Sequence, residues 1–197
     1  MHRTSGVLLH PTSLPGPFGI GDLGPAAYGF VDFLAAAGQG LWQVLPLGPT
    51  GFRDSPYQCA SSFAGNPLRI SPERLLEWGW IDAADLEHPG LPAHRVDFGA
   101  ARAWKRTLLA RAHEGFLARG SQADREDLAC FREQHRGWLD DYALYTAIKV
   151  EHGMGPWTEW PEPLAVREPK ALAAWARAQR ARIERQVFVQ YLFFRQW

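Results

Sequence analysis

Two short apolar runs, SGVLL at residues 5–9 and LWQVLP at residues 41–46, enclose the segment PAAYGFVDFLAAAG at residues 25–38. The outer runs are too short for helices and are bounded by Gly or Pro, so they read as strands. The middle segment has Pro25 at its first position, Tyr28, Phe30, Val31, Phe33 and Leu34 as an apolar face, and Gly38 as a stop. That combination predicts a helix. Strand, helix and strand in this order predict a right-handed βαβ unit, and so a parallel sheet buried on both faces. The expected class is α/β.

Each strand runs into a loop rich in Pro and Gly: loop one, HPTSLPGPFGIGDLG, covers residues 10–24, and loop two, GPTGFRDSPYQCASSFAGNP, covers residues 48–67. Loop one also carries Leu14, Phe18 and Ile20, which mark it as ordered rather than as a linker. In α/β folds, ligand-binding groups collect at the C-terminal strand ends, so both loops are the place to seek a site. From Ser71 onward the pattern is helical. Ser71-Pro72-Glu73 opens a short helix that Gly79 breaks, residues 82–98 are irregular, and amphipathic helices are expected over 100–118, 123–137 and 139–152. A Trp/Pro-rich loop over 153–169 precedes helical sequence from Lys170 to the last residue, and no third strand is evident. That last helix has two apolar faces, one of Ile183, Val187, Tyr191 and Phe194, the other of Phe188, Leu192 and Trp197. Such a helix expects partners on two sides, and two parallel strands do not close a core. The expectation is a truncated chain: the first strands of a barrel, then a mostly helical insertion.

Bulk composition narrows the partners. Lys plus Arg and Asp plus Glu are 21 each, so the net charge is zero, which argues against a phosphate-binding surface and nucleic acid. Nine Trp, eleven Phe and five Tyr exceed what a core of this size needs. Flat rings suit neutral sugars, although core packing accounts for most of them. Cys59 and Cys130 lack redox or metal spacing, and the seven His show no zinc pattern. No phosphate-cradling glycine motif exists, so neither cofactor nor metal is expected. The N-terminus lacks a signal-peptide shape, and no apolar run approaches the roughly 18 residues of a membrane span. These features predict a cytoplasmic protein away from membranes. Arg177, Arg180, Arg182 and Arg185 read as a solvated helix face.

The segments SGVLLHPTSLPGPFGIGDLG, LWQVLPLGPTG, DSPYQ and SFAGNP, followed by DYALYTAIK, GMGPWTEW and QYLFFRQW, resemble in order the opening of the amylomaltases. These are the disproportionating 4-α-glucanotransferases, relatives of the α-amylases. The resemblance is nearly continuous over residues 5–70 and loose in the middle. It implies the N-terminal part of a (β/α)₈ TIM barrel: residues 1–70 as the first β/α units, 71–169 as a mostly helical insertion, and 170–197 as a helix returning to the barrel. It implies retaining transfer between α-1,4-glucans (maltodextrins) by a protein that is monomeric when complete. That chemistry needs two carboxyl groups roughly 5–5.5 Å apart. In the family they lie on later strands, so no catalytic residue is expected in this chain.

The resemblance places Tyr57, Ser55 and Asp54 against substrate, with Tyr57 stacking on the sugar at the bond to be cut. A competing reading makes Asp54-Ser55-Pro56 an Asx-type turn whose side chains serve their own backbone. Phe52, with Phe98, falls where relatives place a second, more distant glucan site; packing against the barrel competes with that role. His10, at a strand end, is a further candidate. Asp22 and Ser13 read as caps within loop one, Asn66 as a loop anchor, and Gln43 as a buried strand amide needing a partner. Two other functions remain open at this point: a self-contained, non-catalytic glucan-binding or interaction module, and another hydrolase of the α-amylase clan.

Overall fold

The computed structural model describes residues 3–87, 90–92 and 95–197. Strand β1 (Gly6–Leu8), helix α1 (Pro25–Ala36) and strand β2 (Leu41–Gln43) form the predicted βαβ unit. The strands pair in parallel with Gly6 opposite Leu41, Val7 opposite Trp42 and Leu8 opposite Gln43. Gly38, at φ 65°, supplies the left-handed residue that ends α1. Trp42 packs edge-on against Phe30 of α1, with centroids 5.0 Å apart, and its indole donates to the Leu9 carbonyl at 2.7 Å.

The expectation of a sheet buried on both faces is corrected. Leu8 and Leu41 are 56% and 57% exposed, and Val31 and Phe33 of α1 are 49% and 59% exposed. Side chains alternate across a strand, so Trp42 takes the α1 face and its neighbours take the open one. Gln43 is therefore exposed, not a buried amide. Among the described residues the sheet has two strands.

Beyond loop two follow α2 (Pro72–Glu77), α3 (Phe98–Arg119), α4 (Gln122–Gln134), α5 (Leu139–Glu151), α6 (Glu162–Ala165), α7 (Pro169–Ala178) and α8 (Arg180–Gln196). Single-turn 3₁₀ segments intervene, among them Ala83–Leu86 and Trp157–Glu159. The single helix expected from residue 170 is two, because Gln179 leaves helical geometry. Its carbonyl accepts from Arg182 at 2.9 Å and Ile183 at 3.3 Å and so starts α8 afresh. Trp197, assigned to an apolar face, is 60% exposed.

The chain forms two compact units, residues 1–121 with 192–197, and residues 122–191. In the first, Ile20 of loop one, Leu68, Leu91 and Ala101 form a core on which Val96 and Phe98 pack, and Phe18 stacks on Trp104 with centroids 5.2 Å apart. Trp80, 1% exposed, meets Phe116 edge-on at 5.1 Å and lies under the Arg195 guanidinium. Ser71 caps α2, and its backbone is gripped twice by the Gln196 amide: Ser71 N donates to Oε1 at 2.6 Å and Nε2 donates to Ser71 O at 3.3 Å. The second unit centres on Ile148, Trp160 and Leu164. Within it Arg132 bridges Asp140 and Glu184 at 2.8 and 3.0 Å.

Gly115 lets α3 pass close to Trp80: a Cβ there would sit 1.9 Å from the Trp80 carbonyl oxygen. Gly29 in α1 faces open space. Alanine favours a helix over glycine by about 1 kcal/mol, whereas forcing a methyl into packed backbone costs about 1–3 kcal/mol. Gly115→Ala is therefore expected to lower, and Gly29→Ala to raise, the urea-unfolding midpoint.

Candidate functional site

Loop one is held from both ends and from beneath. Pro11–Ser13 form a 3₁₀ turn, Gly21 N donates to Thr12 O at 3.2 Å, and Leu23 N donates to Arg69 O at 2.9 Å. Leu14, Phe18, Ile20 and Leu23 are all buried. Asp22 caps as expected, one carboxylate oxygen accepting from Gly24 N at 3.0 Å. Its other oxygen lies 3.7 Å from the Lys105 ammonium, which reaches in from α3 and donates to Ile70 O at 2.6 Å. Asn66 anchors the far end of loop two by accepting from Leu68 N at 3.0 Å.

Loop two doubles back on itself through an antiparallel bridge between Thr50 and Cys59, with Gly51 N donating to Gln58 O at 2.9 Å. Its tip holds the sequence-predicted cluster. Arg53 and Asp54 adopt left-handed dihedrals, φ 55° and 56°, a strained posture for residues with side chains. The Asp54 carboxylate is taken by Arg102 of α3 and by the Thr50 hydroxyl, the latter at 3.4 Å. It does not serve its own backbone, as an Asx turn would; Ser55 does, its hydroxyl accepting from Tyr57 N at 3.3 Å. Tyr57 stands on this tip 73% exposed.

His10 and Phe98 lie elsewhere. Phe98 is the half-buried first residue of α3, packed on the core, and lines a groove of about 380 Å³ with Thr12, Ser13, Gly16 and Arg95. The Phe52 side chain lies outside the described residues, so its pairing with Phe98 has no geometry here. The His10 Nε2 sits 2.5 Å from the Arg69 Nη2. Arg69 carries a fixed positive charge, so His10 Nε2 is the acceptor and the ring proton resides on Nδ1.

Sequence reasoning missed Arg69, Lys105 and Arg102. Lys105 was discoverable: it shares the helical stripe of Ala101, Leu108 and Ala112, where a charge demands a buried partner. Arg69 and Arg102 carried no local signal. Both loop carboxylates face cations from α3, Asp22 the Lys105 ammonium at 3.7 Å and Asp54 the Arg102 guanidinium.

Burial sets the ionisation of this region. Desolvation, reinforced by Arg69, pushes His10 down to about 4 from 6.5. Burial pushes Asp22 up to about 6 from 3.8, outweighing the pull of Lys105, and lowers Lys105 as well. Between 4 and 6.5 the unfolded chain takes up a proton that folded His10 refuses, so this residue costs stability as pH falls through that window. Between 3.8 and 6 folded Asp22 keeps a proton that the unfolded chain releases, so it costs stability as pH rises. The two slopes oppose. Relative to the unaltered protein, Asp22→Asn should gain stability toward about pH 6.5, and His10→Gln toward about pH 4.5, in urea titrations at both values.

A family model described as 4-alpha-glucanotransferase matches residues 9–197. The chain is 51% identical over 195 residues to the 4-alpha-glucanotransferase of Thermus thermophilus, covering 99% of this chain and 38% of that protein. With the Synechocystis enzyme of the same name it shares 46% identity over 196 residues, 99% of this chain and 39% of that one. The chain thus spans less than two-fifths of the length of these relatives. The amylomaltase from Streptococcus agalactiae in complex with acarbose superposes with a TM-score of 0.93 at 38% identity, over all of this chain and 40% of that one. The amylomaltase from Corynebacterium glutamicum, at 16% identity over 98% of this chain and 27% of that one, has a TM-score of 0.63 and shares the fold. On a family match spanning nearly its whole length, the chain belongs to the 4-alpha-glucanotransferases, glycoside hydrolase family 77.

Proposed function

We propose that the chain is the N-terminal portion of an enzyme that moves α-1,4-glucan segments between maltodextrins by retaining double displacement. Residues 1–70 supply the first barrel units and residues 71–169 a helical insertion, with residues 170–197 returning to the barrel. The observation that carries this reading is Tyr57, held 73% exposed on a clasped loop at the strand ends. An open aromatic ring there offers a stacking face to a sugar, with the neighbouring Ser55 hydroxyl as a polar contact. Asp54 acts through the loop it fixes. The acarbose complex of the Streptococcus agalactiae relative supports a glucan as the ligand.

In this reading the two reacting carboxyl groups belong to polypeptide beyond residue 197, as the chain covers 38% of the Thermus thermophilus relative. No cofactor or metal takes part, and the complete protein works as a cytoplasmic monomer. The alternative of a self-contained binding module fits poorly with Leu8, Val31, Phe33 and Leu41, which leave apolar surface open on both layers of the βαβ unit.

The complete enzyme is expected to convert maltotriose into glucose plus longer maltodextrins, followed by chromatography of the products; maltose formed without longer products would sink the assignment. The 197-residue chain alone should give no turnover. In the complete enzyme Tyr57→Ala should lower kcat/KM at least about tenfold, about 1.4 kcal/mol of transition-state binding, and Tyr57→Phe, which keeps the ring, should lower it less.

A further inference from the structure

The posture of Tyr57 is set just upstream of it. Gln58 N donates to Ser55 O at 3.2 Å and Tyr57 N to the Ser55 hydroxyl at 3.3 Å, so residues 55–58 turn as one piece that hangs from Asp54. Arg53 and Asp54 are left-handed, at φ 55° and 56°, a region that residues with side chains leave unless they are held. Were Asp54 to relax, its φ would change sign and the turn after it, ring included, would swing to a new direction. The loop's own bonds resist this: Asp54 N donates to Gly51 O at 3.3 Å, and the Thr50 hydroxyl donates to the Asp54 carboxylate at 3.4 Å. Both are at the long end of hydrogen-bond range. A further tie comes from 48 positions away, where the Arg102 guanidinium takes the same carboxylate. A hydrogen bond with both partners charged is stronger than either of the others. Its root is fixed, because Ala101 beside it is buried in the core and Lys105, one turn on, donates to Ile70 O.

We propose that Arg102 is a positioning residue for glucan transfer: by holding Asp54 left-handed it keeps the exposed Tyr57 ring at the angle on which a sugar stacks. Arg102 acts through Asp54 and the turn that follows, and its effect on the reaction passes through Tyr57. The inference rests on the function proposed above for Tyr57. Both side chains of the ion pair retain contact with water. Such a pair shifts an equilibrium by about twofold to fivefold, so Arg102 biases the tip toward its productive posture rather than switching it on and off.

The test uses variants of the complete enzyme assayed with maltotriose. Arg102→Met, which removes the charge, should lower kcat/KM about twofold to fivefold, and Arg102→Lys, which keeps it, should lower it less. In a Tyr57→Ala background Arg102→Met should cause no further loss, because no ring is left to position; a merely structural role would lower both backgrounds alike. A readout without glucan accompanies the kinetics: trypsin cleavage after Arg53 at the tip, timed by mass spectrometry against cleavage after Arg119 at the end of α3. Arg102→Met should speed the first and leave the second unchanged. Undiminished kcat/KM in Arg102→Met, an equal loss with and without the Tyr57 ring, or cleavage after Arg53 indifferent to Arg102→Met overturns the proposal. If Arg102→Met loosens the whole protein, seen as acceleration at Arg119, then Asp54→Asn decides: its loss should likewise vanish in the Tyr57→Ala background, and a loss that persists there overturns the proposal. Full activity in Tyr57→Ala would overturn the reading of Tyr57 and this inference with it, whereas a loss there with none in Arg102→Met removes this inference alone.

Discussion

Lys105 lies 1% exposed in the middle of α3, and an ammonium so deep must find acceptors or cost several kcal/mol. It finds two of different origin: the Ile70 carbonyl just after loop two, and the Asp22 carboxylate at the end of loop one. Both loops leave neighbouring parallel strands, so each would be free to splay from the other. The ammonium ties their far ends to a single helix. Leu23 N donating to Arg69 O adds a direct backbone link between them. The shape of the strand-end surface thus depends on one interior charge more than on the short sheet itself.

α3 reaches loop two a second time. Arg102, one turn before Lys105 on the same helix, holds Asp54 at the strained tip. One rigid element therefore governs both the roots of the loops and the posture of the tip, and two adjacent non-glycine residues can be kept left-handed there. A loop supported in this way needs little further ordering if it is to meet a ligand. Lys105 and Arg102, both on α3, thus engage the carboxylates of loop one and loop two respectively.

The βαβ unit was readable from sequence because Pro25, Gly38 and the two apolar runs are local signals, and the same holds for the Ser71 cap and the helices α3 to α5. The break at Gln179 was not, since no Gly or Pro marks it and the hydrophobic spacing continues across it. Gln43 was misjudged for a different reason: the strand pattern tells which residues share a face, not which face is covered. Of the site, Tyr57, Ser55 and Asp54 were singled out through motif resemblance, and of the Asx-type turn weighed against it only the Ser55 side chain is seen to serve the local backbone. Arg69 and Arg102 escaped notice because what gives them meaning, His10 at a separation of 59 positions and Asp54 at 48, exists only once the chain is folded.

The double grip of Gln196 on the Ser71 backbone spans 125 positions. Contacts of such sequence separation carry a large loop-closure penalty and form late. During synthesis the first unit would emerge with its α2 cap waiting, and would acquire this clamp only after the whole intervening helical unit had left the ribosome. Vectorial production thus favours an order in which residues 122–191 collapse before the first unit is sealed.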